Sequence, residues 1–305
     1  MSTQLAKGTS LLELLVCPSC RLALVRSDAR TACSACGRSF QVSDGIPVLV
    51  AEDSEAQHKS HQAGYFDEVE PEFEITRPHG TPRYYAWLIR EKFARSVSAL
   101  GGVLPGASVL CVCGGSGMDA EFLARAGARV VLADISLGAA QRARERSRRF
   151  GFPLEVVVAD VERLPFPDQS VDLVYVHDGL HHLEDPFAGL AEMARVARRA
   201  VSVNEPARAA ATRMAVRLGL SDVVEEAGNP IERIDPAALA ADLRGQGFEV
   251  VQLARYAMVY RHEPGPASRL LSRPGLFGAV RLALTSFNRL AGRVGNKFSL
   301  QAIRR

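Results

Sequence analysis

Residues 109–136, VLCVCGGSGMDAEFLARAGARVVLADIS, leave this chain few folds to choose from. An apolar strand runs into the glycine loop Gly114, Gly115, Ser116, Gly117. A helical run follows to Ala126, and a second apolar strand stops at Asp134. Strand, glycine turn, helix, strand, acid is the plan of a nucleotide-binding βαβ unit. The glycines let the backbone turn sharply and approach a ligand with no Cβ in the way. The helix start after Gly117 offers free N–H groups to an anion, and Asp134 can accept from both hydroxyls of a ribose. The pattern implies an enzyme built around an adenosine-containing cofactor.

The alternation continues. Strands are expected at 108–113, 129–133, 154–158, 171–176 and 200–204, with helices near 118–126, 137–149 and 186–198. Asp235-Pro236 is an N-cap and first helical position for a helix to Gln246; a strand from Phe248 and a final strand over 298–303 follow. Earlier, Thr81-Pro82 starts a helix to about Leu100 carrying Tyr84, Tyr85, Trp87 and Phe93. Residues 52–64 read as a polar linker and the acidic stretch to Arg77 as irregular. Continuous apolar strands alternating with helices mean a parallel sheet covered on both faces.

Four of the six cysteines form Cys17-Pro-Ser-Cys20 and Cys33-Ser-Ala-Cys36. Two such knuckles supply the four sulfurs of a closed, structural zinc site. Two disulfides or a redox dithiol are the rival readings; the spacing and an intracellular setting favour zinc. The surrounding LALV and RSFQVSDGIPVLV read as short strands. CPSC, CSACG and FQVSDGIPVLV together resemble the small zinc-ribbon proteins that activate tRNA and release-factor methyltransferases. Cys111 and Cys113 lie on one side of the first sheet strand, where a buried packing role is expected.

A glycine loop alone does not choose the cofactor. Gly115-x-Gly117-x-x-Ala120 also fits the dinucleotide fingerprint, so an NAD-dependent oxidoreductase is one alternative. The stretch from Val158-Ala159-Asp160-Val161-Glu162 through Leu164-Pro165-Phe166-Pro167-Asp168 to LVYVHDGLHHLEDP (173–186) resembles class I S-adenosylmethionine-dependent methyltransferases, the group that includes the quinone-ring C-methyltransferases. The resemblance implies the fold: α/β, a Rossmann-like doubly wound mostly parallel sheet with an antiparallel last strand, here preceded by a small zinc ribbon. It also implies S-adenosylmethionine as cofactor, held by Cys113, Gly114, Gly115, Gly117, Asp134, Ile135, Asp160, Val161 and His177. Asp134 would take the ribose, and Asp160 with the Val161 N–H the adenine. Members of this group usually have an acid where Cys111 stands and a glycine where Cys113 stands.

Methyl transfer asks mainly for alignment, with a general base only if the acceptor holds its proton. The candidates for that work stand after the fourth strand: His177, Asp178, His181 and His182, of which His181 and His182 cannot both face the site. The His177-Asp178-Gly179-Leu180 sequence is not the Asn-Pro-Pro-Tyr type that holds an amino nitrogen, and no Pro-Cys nucleophile is present. The expectation is a small-molecule, glycan or lipid-precursor acceptor, methylated on oxygen or nitrogen. An RNA methyltransferase and a non-catalytic scaffold are alternatives; only five Lys/Arg in the first 50 residues speak against RNA.

The net charge of +3 is unevenly spread: nine Lys/Arg against Glu263 alone from Arg261 to the end, and eight acids against Lys59 over 52–74. On a helix from Leu276, the residues Leu276, Val280, Ala283, Phe287, Leu290 and Val294 form one stripe opposite Arg281, Arg289 and Arg293. A packed surface helix is the first reading; a basic cap receiving an anionic or lipid-linked acceptor at a membrane surface is the second. The expected organisation is a ribbon (1–51), linker and helical lid (52–106), methyltransferase core (107–260), cap insertion (261–296) and final strand (297–305), in a cytoplasmic protein.

Overall fold

The computed structural model describes residues 10–26, 29–51, 56–207, 234–258 and 262–305. Four short strands open it: β1 (Leu24–Arg26), β2 (Arg30–Cys33), β3 (Ser39–Ser43) and β4 (Ile46–Leu49). Helices α1 (Ala56–Asp67), α2 (Pro71–Thr76) and α3 (Arg83–Ser96) follow. Then come β5 (Ser108–Val112), α4 (Met118–Arg125), β6 (Arg129–Asp134), α5 (Leu137–Phe150), β7 (Glu155–Ala159), β8 (Val171–His177), α6 (Pro186–Val196) and β9 (Ala197–Pro206). We number the remaining described elements α7 (Pro236–Gly245), β10 (Phe248–Tyr256), α8 (Pro266–Leu271), α9 (Pro274–Ala291) and β11 (Lys297–Arg304).

The strands form one sheet in the order β1-β2-β3-β4-β7-β6-β5-β8-β9-β11-β10. From β4 to β9 its neighbours are parallel. β11 runs antiparallel between β9 and β10, so the Rossmann-like sheet with an antiparallel last strand is what this chain forms. Val109, Leu110, Val112, Val131, Leu132, Val157, Leu173, Val174 and Val176 are fully buried, which is why these strands read as unbroken apolar runs. Each such side chain contributes roughly 1.5–3 kcal/mol by leaving water. Strand connections reverse direction between β5 and β8, and ligands of open α/β sheets gather at the carboxyl ends beside such a switch.

The ribbon joins the main sheet, Val48 and Leu49 of β4 pairing in parallel with Val158 and Ala159 of β7. Glu155 reinforces this junction, accepting from Ser10 Oγ (2.6 Å) and the Leu12 N–H (2.9 Å). Two expectations need correction. The expected linker and irregular stretch contain α1 and α2, while residues 52–55 lie outside the described part. Glu70 caps α2 by accepting from the Glu72 and Phe73 N–H groups, with Pro71 at its first turn, a start signal as good as Thr81-Pro82. Second, the stripe on α9 does not pack inward. Leu276, Phe287, Leu290 and Val294 are exposed, and the buried residue of this helix is Phe277. The bound surface lies about 100° around the helix from the stripe.

Candidate functional site

The glycine loop is fastened from below. A Cβ on Gly114 would stand 2.5 Å from Leu132 Cγ, so only glycine lets the loop lie on β6. Gly117, at φ +82°, closes against Ala143 of α5 and begins α4. The Gly115 N–H donates to Asp134 Oδ2 (2.8 Å) and the Ser136 N–H to Asp134 Oδ1 (3.0 Å). Asp134 thus holds the loop and the start of α5, with Ile135 half-buried between them. Burial pushes its carboxyl above the ordinary value, opposed by those backbone N–H groups. Gly115 faces open space, which leaves a bare backbone surface beside Asp134: the features an adenosine ligand needs are present. Cys113 takes a left-handed φ of +47°, and Gly179 makes room for it, since a Cβ there would lie 2.4 Å from the Cys113 Cβ.

Asp160 ends β7. Its Oδ1 accepts from the Glu162 N–H (2.9 Å), while Lys59 of α1 donates to Oδ2 (2.7 Å) and reaches Glu162 Oε2 (2.9 Å). Burial works against the Lys59 charge, but these two carboxylates hold its pKa above the usual lysine value. Val161 is buried beneath them. At its other end α1 is held by Asp67, which accepts from Ser136 Oγ (2.6 Å) and the Gly138 N–H (2.8 Å). Phe66 stands edge-on to His182, ring centroids 5.4 Å apart. Helix α1 therefore bridges the ends of β6, β7 and β8.

At the carboxyl end of β8 the four candidate catalytic residues separate into different environments. His177 Nδ1 lies 2.7 Å from Asp119 Oδ2, and its Nε2 3.4 Å from Asp178 Oδ2. Burial and Lys92 disfavour its protonation, yet Asp119 and Asp178 outweigh them and raise its pKa to about 9. Asp178, at φ +50°, accepts from Lys92 Nζ (2.6 Å) and Lys297 Nζ (2.7 Å). Despite burial, these cations hold its carboxyl well below the usual range. His181 is 1% exposed, its Nδ1 2.7 Å from Glu205 Oε2. Glu205 Oε1 also accepts from the Gly179 and Leu180 N–H groups. His182 stacks beside His181 and meets Phe66. So at neutral pH His177 is a paired cation, Asp178 a doubly bridged anion and His181 a buried support of the turn; His182 alone of the four faces the underside of α1.

Sequence reasoning missed Lys59, Lys92, Asp119, Glu205 and Lys297. Lys92 carries a legible signal: it lies on the stripe of α3 with Leu88, Ile89 and Ser96, all buried, where a lysine needs a buried acid. The partners of the others are distant in sequence and leave no local mark.

In the ribbon, Cys17, Cys20, Cys33 and Cys36 bring four sulfurs within 4.8 Å of one another. The Cys17–Cys36 and Cys20–Cys33 sulfur distances are 3.6 and 3.4 Å, far longer than a disulfide and near the roughly 3.8 Å edge of a zinc tetrathiolate. The donor set fits zinc. Cys111 is buried at 2% exposure among core side chains, apart from this cluster.

Residues 110–202 match the methyltransferase domain family. The demethylmenaquinone methyltransferase of Renibacterium salmoninarum is 35% identical over 139 residues, 45% of this chain and 54% of that protein. The ubiquinone/menaquinone biosynthesis C-methyltransferase of Hahella chejuensis is 34% identical over 147 residues, 47% of this chain and 57% of its own. The chain thus spans about half the length of these curated relatives. Among solved structures, the magnesium protoporphyrin IX methyltransferase of Synechocystis PCC 6803 with bound SAH aligns over 82% of this chain and 100% of its own, with a TM-score of 0.53 and 19% identity. That is a likeness of fold.

Proposed function

We propose that this chain, whose residues 110–202 form a methyltransferase domain, transfers a methyl group from S-adenosylmethionine to a small-molecule acceptor. The observation that carries the reading is Asp134, which grips the Gly115 N–H at the mouth of an open glycine loop. Asp134 would hold the ribose, Asp160 and the Val161 N–H the adenine, and the loop of Cys113, Gly114, Gly115 and Gly117 the methionine end. When bound, the cofactor supplies an activated methyl group on a sulfonium. The protein's part is to orient the acceptor and exclude water. Helix α1 supports that role, since it covers the ends of three strands through Lys59, Phe66 and Asp67.

The sequence pointed to oxygen or nitrogen as the methylated atom. The relatives bear the names of quinone-biosynthesis methyltransferases, one of them a C-methyltransferase. They support an electron-rich aromatic ring carrying a lipid tail, with carbon as the methyl acceptor. His177, Asp178 and Lys92 then serve as a positioning group that fixes the turn after β8, and His182 is the side chain best placed to meet an acceptor hydroxyl. The ribbon cysteines would hold one structural zinc.

Incubation with S-adenosylmethionine labelled on the methyl group, with a prenylated hydroquinone lacking the ring methyl, tests the reading. Label should enter the ring, and His182→Ala should lower turnover about 100-fold or more while leaving cofactor affinity unchanged. Label entering RNA but not the ring would overturn it.

A further inference from the structure

Helix α9 is anchored on one face and bare on the other. On the inner face, Phe277 is 4% exposed, with the Arg83 guanidinium 4.3 Å from its ring centroid and the Trp87 ring at 6.2 Å. Leu284 packs on Leu88, Tyr256 and Met258. Asn288 accepts from the Ala257 N–H (2.7 Å) and donates to the Ala257 carbonyl (3.1 Å), pinning the helix to the chain leaving β10. The outer face carries Leu282 at 69% exposure, Leu290 at 84% and, just past the helix, Val294 at 57%, with Leu276 and Phe287 beside them. Large apolar side chains held outward on a rigid helix are a standing cost in water and mark an interaction surface.

Its charge says what kind. Arg273, Arg289 and Arg293 border the apolar face, Arg281 lies over the Phe277 ring (5.7 Å to its centroid), and no Asp or Glu occurs from Pro264 to Arg305. A second copy docked face to face would set arginine against arginine with no acid to pair it. An anionic bilayer meets both needs, taking the leucines below its headgroups and the arginines at its phosphates. The helix is 18 residues long, and no described helix is long and apolar enough to cross a membrane, so the geometry is that of a helix lying in the interface. Its place in the fold gives this a purpose. The β10–β11 connection that contains α9 leaves the sheet at the same end as His177, because β10 runs parallel to β8 and β9. Lys297, the first residue of β11, reaches Asp178.

We propose that α9 docks the protein on anionic membrane surfaces, so that the acceptor end of the sheet takes its lipid-tailed substrate directly from the bilayer. The second half rests on the proposed methyl transfer; the docking does not. Flotation of the full chain with phosphatidylglycerol–phosphatidylcholine vesicles and with pure phosphatidylcholine vesicles tests it, alongside calorimetric titration of S-adenosylmethionine. The chain should float with the anionic vesicles, less at high salt, and hardly with the neutral ones. Leu282→Ser with Leu290→Ser should weaken anionic partitioning about tenfold or more, and Arg289→Gln with Arg293→Gln about as much. All four sites are exposed, so circular dichroism and cofactor affinity should be unchanged. Absence of flotation, flotation indifferent to the leucine changes, or a dimer that those changes dissociate without altering flotation would overturn the docking. Flotation without cofactor binding would instead overturn the proposed chemistry.

Discussion

His177 is charged because of what surrounds it, and that gives it a measurable signature. Its pKa rises from an ordinary 6.5 to about 9, through Asp119 and Asp178 against burial and Lys92. A group whose folded pKa is raised contributes stability fully below its unfolded pKa and loses it as pH climbs through the folded one. Denaturant unfolding should therefore show stability declining between about pH 6.5 and about pH 9, and His177→Gln should flatten that decline. An unchanged slope in the variant would show that the histidine is not a cation in the folded protein. Lys59 is the other residue with a direct readout, since it occupies the Asp160 oxygen that adenine would use. Lys59→Met keeps the stem over the site and releases the acid, so S-adenosylmethionine should bind severalfold more tightly; weaker binding would mean that Lys59 is itself a cofactor contact. Asp134 and Asp160 could be named from sequence because each stands at the carboxyl end of an apolar strand, a position that local pattern defines. Asp119, Lys92, Lys297 and Glu205 owe their roles to partners 58, 86, 119 and 24 residues away, and no local pattern records such pairings.

At the scale of elements, the sheet was legible and its edges were not. The strands β5 to β8 announce themselves as apolar runs, because both faces are covered; β9, with its two arginines, Asn204 and Glu205, is legible only in its middle. Helix α1 does not, because AQHKSHQAGYFD has no apolar stripe; its attachment comes from Lys59, Phe66 and Asp67, not from a buried face. The ribbon's spacing showed four sulfur ligands but not that β4 would join β7. That junction couples the four-cysteine cluster to the core. The chain should carry one zinc, and chelation should lower the melting temperature on the order of 10 °C, since several kcal/mol of metal binding is folding free energy. Cys20→Ser should do the same without chelator. A melting curve indifferent to chelation in a zinc-loaded sample would separate the ribbon from the stability of the sheet.

Across the whole molecule, the candidate site is concentrated at one end of the sheet. The glycine loop, Asp134, Asp160 and the turn after β8 lie at the carboxyl ends of parallel strands; α1 enters over them from the N-terminal side, and α9 flanks them from the β10–β11 connection. The α9 stripe was visible in sequence as an amphipathic pattern, but which face is buried depends on Trp87 and Tyr256, contributed by other elements. The central claim is that this end is built for S-adenosylmethionine, and calorimetric titration of the purified chain tests it most directly. S-adenosylmethionine should bind at one site per chain, NADH should not compete, and Asp134→Ala should weaken binding about 10–100-fold through the loss of charge-assisted hydrogen bonds. Saturable NADH binding with no response to S-adenosylmethionine would contradict the account.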